Sequence, residues 1–204
     1  IQKSKKKIRT DFLFRKVSDE SQRQMAEFLL QTSGFDFKRG AFTTSEHPFT
    51  DGLAKDDCRV TTHYHEDMFA SNIFSIIHEG GHALFEMNQP RENYAHHING
   101  CKTLGQHESV SRFYENRIGR SRAFVHLIFK KCKEFFPTVF EDVSEKQFYE
   151  ALNVVKPSFI RTEADEFTYT FHIMIRFEIE QMIVNGKVDI QSLPQIWNDK
   201  YEEY

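Results

Sequence analysis

The chain has 204 residues and carries 27 Lys and Arg against 30 Asp and Glu, a formal net charge of −3, so no global field favours nucleic acid or a membrane surface. That length suits one domain, or a piece of a larger one, with enough chain to bury a core. Three cysteines, Cys58, Cys101 and Cys132, lie far apart without CxxC spacing, which argues against a disulfide framework or a thiolate zinc site and fits a reducing, cytoplasmic setting. No stretch approaches the length of a membrane span, and the start lacks the apolar run of a secretory signal. Lys3 with Lys5, Lys6 and Lys7 reads as a solvated face. With 21 Phe but few Gly and Pro, the composition points to long helices packed by aromatics.

A first helix opens after Ser18 as its N-cap, carries Met25, Phe28 and Leu29 on one face, and stops at Gly34. From Phe35 to about Tyr64 the helical period fades. There, β-prone pieces such as Arg59-Val60-Thr61-Thr62 lie between Gly, Pro and Asp breakers, which predicts a small hairpin or sheet. From about Met68 to Met87, Phe74, Ile77, Leu84 and Phe85 recur at near-helical spacing and predict a mostly buried helix with polar residues set into it. An irregular stretch follows, from about Pro90 to Gly105. Helices are then expected over about 106–118 and 121–135, the second ending before Pro137, and Ser144 with Gln147 forms a capping box. A last long helix is expected from Ser158 to Asn185, with Ile160, Ala164, Phe167, Phe171, Met174 and Met182 as its apolar stripe and Gly186 as its stop. On such a helix Arg161, Asp165, Thr168 and His172 share one polar face. Ser192-Leu193-Pro194 opens a short closing helix.

The chemistry sits in the second helix, where His78-Glu79-Gly80-Gly81-His82 spells HExxH. Positions i and i+4 of a helix are neighbours, so two imidazoles can reach one ion, while Glu79 lies beside that ion without binding it and can take a proton from water. Gly80 and Gly81 each weaken the helix by about 1 kcal/mol relative to Ala, a cost that fits backbone passing close to a neighbour or substrate. A catalytic zinc takes three protein ligands and leaves one position open, so a third ligand is expected downstream on another helix. Glu108 is the candidate, and Glu115 is the rival, better suited to a supporting or solvent-facing place.

Five short motifs stand in order: His47-Pro48-Phe49, Asp57-Cys58-Arg59-Val60-Thr61, the HExxH, His107-Glu108-Ser109, and Ile160-Arg161-Thr162-Glu163-Ala164-Asp165. With them the chain resembles the carboxypeptidase Taq family of zinc metallocarboxypeptidases over nearly its whole length. The resemblance implies a mainly α, zincin-like helical body with a deep groove and a small antiparallel β element near the active site, often a homodimer. It implies Zn2+, or Co2+ or another divalent metal in its place, held by His78, His82 and Glu108, with Glu79 as general base. It implies peptide substrates with a free C-terminal carboxylate. The family's last signature, GxxQDxHW, is expected beyond the Trp197 region, and its members extend further at the N-terminus. Residues 1–204 therefore read as a single catalytic segment of a longer chain.

An enzyme that removes C-terminal residues needs a cation to fix the substrate carboxylate, and an arginine fork suits that bidentately. Arg161 is the first choice and Arg59 the second. Each has a competing reading as an ion-pair partner, Arg161 with Asp165 at i+4. His47 either lines the cleft or caps the small sheet, and His107 either bonds substrate or holds Glu108 in place. Two rivals share these residues: a zinc endopeptidase or oligopeptidase with the same core, and a non-catalytic helical module that binds metal.

Overall fold

The computed structural model describes residues 6–101 and 103–204; Lys3 and Lys5 of the basic start lie outside the described residues. Lys6 is exposed and pairs with Glu150 at 2.9 Å, in keeping with a solvated face. The described chain forms two compact units, Lys6–Leu152 and Asn153–Tyr204.

In the larger unit α1 (Asp19–Ser33) begins where Ser18 Oγ accepts from the Ser21 amide, and it ends on Gly34 in the left-handed region at φ 99°. Three strands follow: β1 (Gly40–Thr44), β2 (Thr50–Ala54) and β3 (Asp57–Thr62), in the order β1-β3-β2. β2 and β3 form the expected antiparallel hairpin around Lys55 and Asp56. β1 adds to the far side of β3 in parallel, with Gly40 opposite Cys58, so the sheet is mixed. Gly40 permits that approach, because a Cβ there would lie 2.4 Å from the Cys58 carbonyl oxygen.

α2 (Phe69–Met87) is the central element, packed by α1, β2 and β3. Phe69, Ile73, Ile76, Ile77, Ala83 and Met87 are buried along it, each large side chain contributing about 1.5–3 kcal/mol. The stretch after Pro90 contains a short helix, α3 (Arg91–Ala95), that its composition did not announce. α4 (Leu104–Arg112) is capped by Thr103 Oγ1 and runs on into a π-helical segment, Phe113–Gly119. α5 (Arg122–Phe135) is capped by Ser121, α6 (Pro137–Phe140) starts on the proline that stops it, and α7 (Glu145–Leu152) carries the Ser144/Gln147 capping box. Aromatics knit these helices together as the composition implied: Phe140 meets Phe148 edge-on at 4.9 Å, and Phe69 lies 5.2 Å from Phe136.

The smaller unit holds α8 (Tyr169–Val184) and α9 (Leu193–Glu203). Here the sequence expectation is corrected, because no helix runs from Ser158; residues 161–163 make a single 3-10 turn. The cause is Asp165. Its carboxylate accepts from the amides of Lys156, Phe167 and Thr168 and from the Thr168 hydroxyl, a local alternative that competes with helix and sets its start. Burial pushes the Asp165 carboxyl up, but the backbone donors outweigh it and hold it below the usual range. Asp165→Ala strands three backbone donors, so it is expected to cost about 2–3 kcal/mol in urea unfolding, and a loss below about 0.5 kcal/mol would refute this role.

Candidate metal centre

His78 and His82 project from one face of α2, their ring centroids 4.9 Å apart. α4 brings Glu108 across this face, with Oε2 at 3.6 Å from His78 Nε2 and 3.4 Å from His82 Nε2. Donor atoms around a tetrahedral ion with bonds of about 2.1 Å lie about 3.4 Å from one another, so these separations suit a metal such as zinc. Among the described residues, this trio is the group of His, Cys, Asp and Glu whose ligand atoms converge within 4.8 Å.

Gly81 explains how α4 comes so near. A Cβ at Gly81 would meet the Ser111 Cα at 2.8 Å, whereas one at Gly80 would meet only the Leu30 Cδ2 methyl at 3.3 Å. Gly81→Ala is therefore expected to force α4 away and cost about 1–3 kcal/mol despite its better helix propensity. For Gly80→Ala the change stays within about 1 kcal/mol. Thermal unfolding of the two variants checks this, and equal stability would overturn the packing account.

Each donor is held from behind. His78 Nδ1 is 2.8 Å from Glu115 Oε2, which also accepts from Arg112 Nη1 at 2.8 Å. Arg112 Nε donates to Glu108 Oε1 at 3.1 Å, so one oxygen of Glu108 is anchored while the other faces the imidazoles. Burial pushes the Glu108 carboxyl up, but a hydrogen bond from a protonated His82 and the charges of a protonated His78 and of Arg112 bring it down to about 2, keeping it an anion. His82 Nδ1 meets His107 Nδ1, and His107 Nε2 lies 2.7 Å from Glu86 Oε1. Glu79 is buried between the histidines in sequence, and Thr50 Oγ1 of β2 sits 2.7 Å from its Oε2 and 2.9 Å from its carbonyl oxygen.

The expected substrate residues lie on other elements. Arg59 is exposed on β3 and forked onto Asp57, with both bonds at 3.0 Å. His47 is exposed between β1 and β2, its carbonyl accepting from Ser45 Oγ. Arg161, in the other unit, donates to the Tyr169 hydroxyl at 2.7 Å instead of pairing with Asp165. His172 is buried there against Tyr201, its basicity lowered by burial and by Arg176 and Arg161. Sequence reasoning passed over Glu86, Arg112 and Thr50. Glu86 was within reach, because it follows His82 by the same four residues that separate His82 from His78. Among the described residues, no helix is long and apolar enough to cross a membrane.

Comparison with known proteins places these residues in a family. The sequence model described as carboxypeptidase Taq (M32) metallopeptidase matches residues 1–204. Carboxypeptidase 1 of Bacillus subtilis (strain 168) is 43% identical over 195 residues, 96% of this chain and 39% of that protein. Thermostable carboxypeptidase 1 of Thermus thermophilus is 40% identical over 201 residues, 98% of this chain and 39% of that protein. The BsuCP crystal structure superposes with a TM-score of 0.95 at 42% identity, covering all of this chain and 41% of that one. The chain thus spans about two fifths of the length of the curated relatives it matches.

Proposed function

The chain belongs to the carboxypeptidase Taq (M32) metallopeptidase family, and from that premise we propose that residues 1–204 form a single catalytic segment of a zinc-dependent carboxypeptidase. Its substrates are peptides with a free C-terminal carboxylate, and the bond cleaved is the last one. Membership implies a divalent metal ion. The observation that supports the reading best is the convergence of His78 Nε2, His82 Nε2 and Glu108 Oε2 on one side of α2, with Glu79 on the same helix. Two imidazoles and a carboxylate suit Zn2+, with Co2+ able to replace it.

When bound, the ion supplies a Lewis acid that polarises the scissile carbonyl and makes water a competent nucleophile near neutral pH. Glu79 accepts the proton of the attacking water as the C–O bond forms, and returns it to the amine nitrogen as the C–N bond breaks. Thr50 keeps the Glu79 carboxylate aimed for both transfers. Arg161 is the proposed clamp on the substrate carboxylate, with Arg59 second, since a guanidinium fork matches that group bidentately. His47 is proposed to line the cleft. Cytoplasmic location and a homodimer are further parts of the proposal, carried from the composition and the family.

A peptide and its C-terminally amidated twin test the reading. The free acid is expected to be shortened from its end, with the amide cut at least tenfold more slowly, since it lacks the charge that a guanidinium recognises. Equal rates would replace this reading with an endopeptidase sharing the same core.

A further inference from the structure

We infer that His107 and Glu86 are positioning residues that lock His82 in the tautomer presenting Nε2 to the ion, and that His107 is not a substrate contact. This rests on the metallopeptidase reading of the site. The Glu86 carboxylate is an acceptor only. His107 Nε2, 2.7 Å from Glu86 Oε1, therefore carries the hydrogen and donates it. In a neutral imidazole one nitrogen donates and the other accepts, so His107 Nδ1 is the acceptor. It meets His82 Nδ1, which must then be the donor. His82 is left with a bare Nε2, the nitrogen that lies 3.4 Å from Glu108 Oε2 and the form a metal ion takes.

The surroundings fit this order. Both ring nitrogens of His107 are engaged, and its side chain is only 18% exposed. The Phe85 ring packs 4.6 Å from it. Glu86 lies one turn beyond His82 on α2, and Gly52 of β2 makes room for it, since a Cβ there would come within 3.0 Å of the carboxylate. His107 precedes Glu108 in α4, so the clamp on His82 is carried by the same helix as the proposed carboxylate donor.

His107→Phe keeps the ring packing and removes both hydrogen bonds. Affinity for Zn2+, measured without peptide by competition with a chromogenic chelator, is expected to fall about 10–100-fold. His107→Asn keeps an acceptor for His82 where Nδ1 now lies but is too short for the bond to Glu86, so it is expected to recover part of that loss, while Glu86→Ala lowers affinity as His107→Phe does. Urea unfolding of each variant verifies the fold, and at saturating Zn2+ the peptide KM of His107→Phe is expected to stay at the parent value. Unchanged Zn2+ affinity with a raised KM would make His107 a substrate contact and overturn the inference while the metallopeptidase reading stands. Unchanged affinity and KM together would also overturn it. If the parent itself holds no divalent ion, both the inference and that reading fall.

Discussion

Glu79→Gln is expected to keep the ion and lose roughly 10²–10⁴-fold in kcat, the range that a positioned general acid–base group supplies. The substitution preserves shape, and Thr50 Oγ1 can still bond an amide oxygen where it now meets Oε2 at 2.7 Å. What disappears is the site that accepts a proton. The helix and the three side chains proposed to hold the ion, His78, His82 and Glu108, are untouched. Metal content by elemental analysis should therefore match the parent while peptide hydrolysis collapses. Comparable kcat in the two proteins would remove Glu79 from the chemistry, and parallel loss of metal and activity would make it a structural residue. A helical module that merely binds metal would lose nothing measurable.

Glu108→Ala should strike the ion itself. It deletes the donor that α4 supplies and leaves two imidazoles, short of the three protein ligands a catalytic zinc takes. Affinity is expected to fall by more than the roughly 10–100-fold that follows loss of a residue behind a ligand. Arg112 would also lose its 3.1 Å partner, although Glu115 still pairs with it at 2.8 Å, so the fold should survive. Chelator competition measures the effect, and an affinity within tenfold of the parent would mean that another group completes the site. The charge on Glu108 is robust to acid. Its folded-state carboxyl sits at about 2, below the ordinary 4.5, so what its anion contributes is fully present above 4.5 and is lost only as pH falls through about 2.

Local spacing made part of this site legible. His78 and His82 are one helical turn apart in a periodic apolar segment, and that pair, Glu79 beside it and their helix follow from a rule acting over five residues. Glu108 could be reached because the proposed ion calls for a third donor and α4 follows at a suitable distance. Thr50 could not be reached, since its bond to Glu79 spans 29 residues and depends on how a sheet edge lies against a helix. The π-helical segment that carries Glu115 also escaped, because one wider turn leaves the apolar period nearly unchanged. At the C-terminal end the apolar stripe from Ile160 was real as composition but misled as structure. Asp165 gathers backbone donors in a way that periodicity does not encode, and it delays the helix to Tyr169.

α2 serves two purposes at once, carrying the imidazoles on one face while burying Ile73, Ile76 and Ile77 in the core. Amides in the middle turns of such a helix exchange with solvent deuterium only when the whole unit opens, so they belong to its slowest class. Whatever binds at the imidazoles is therefore expected to meet a fixed segment, with any movement on binding confined to other elements.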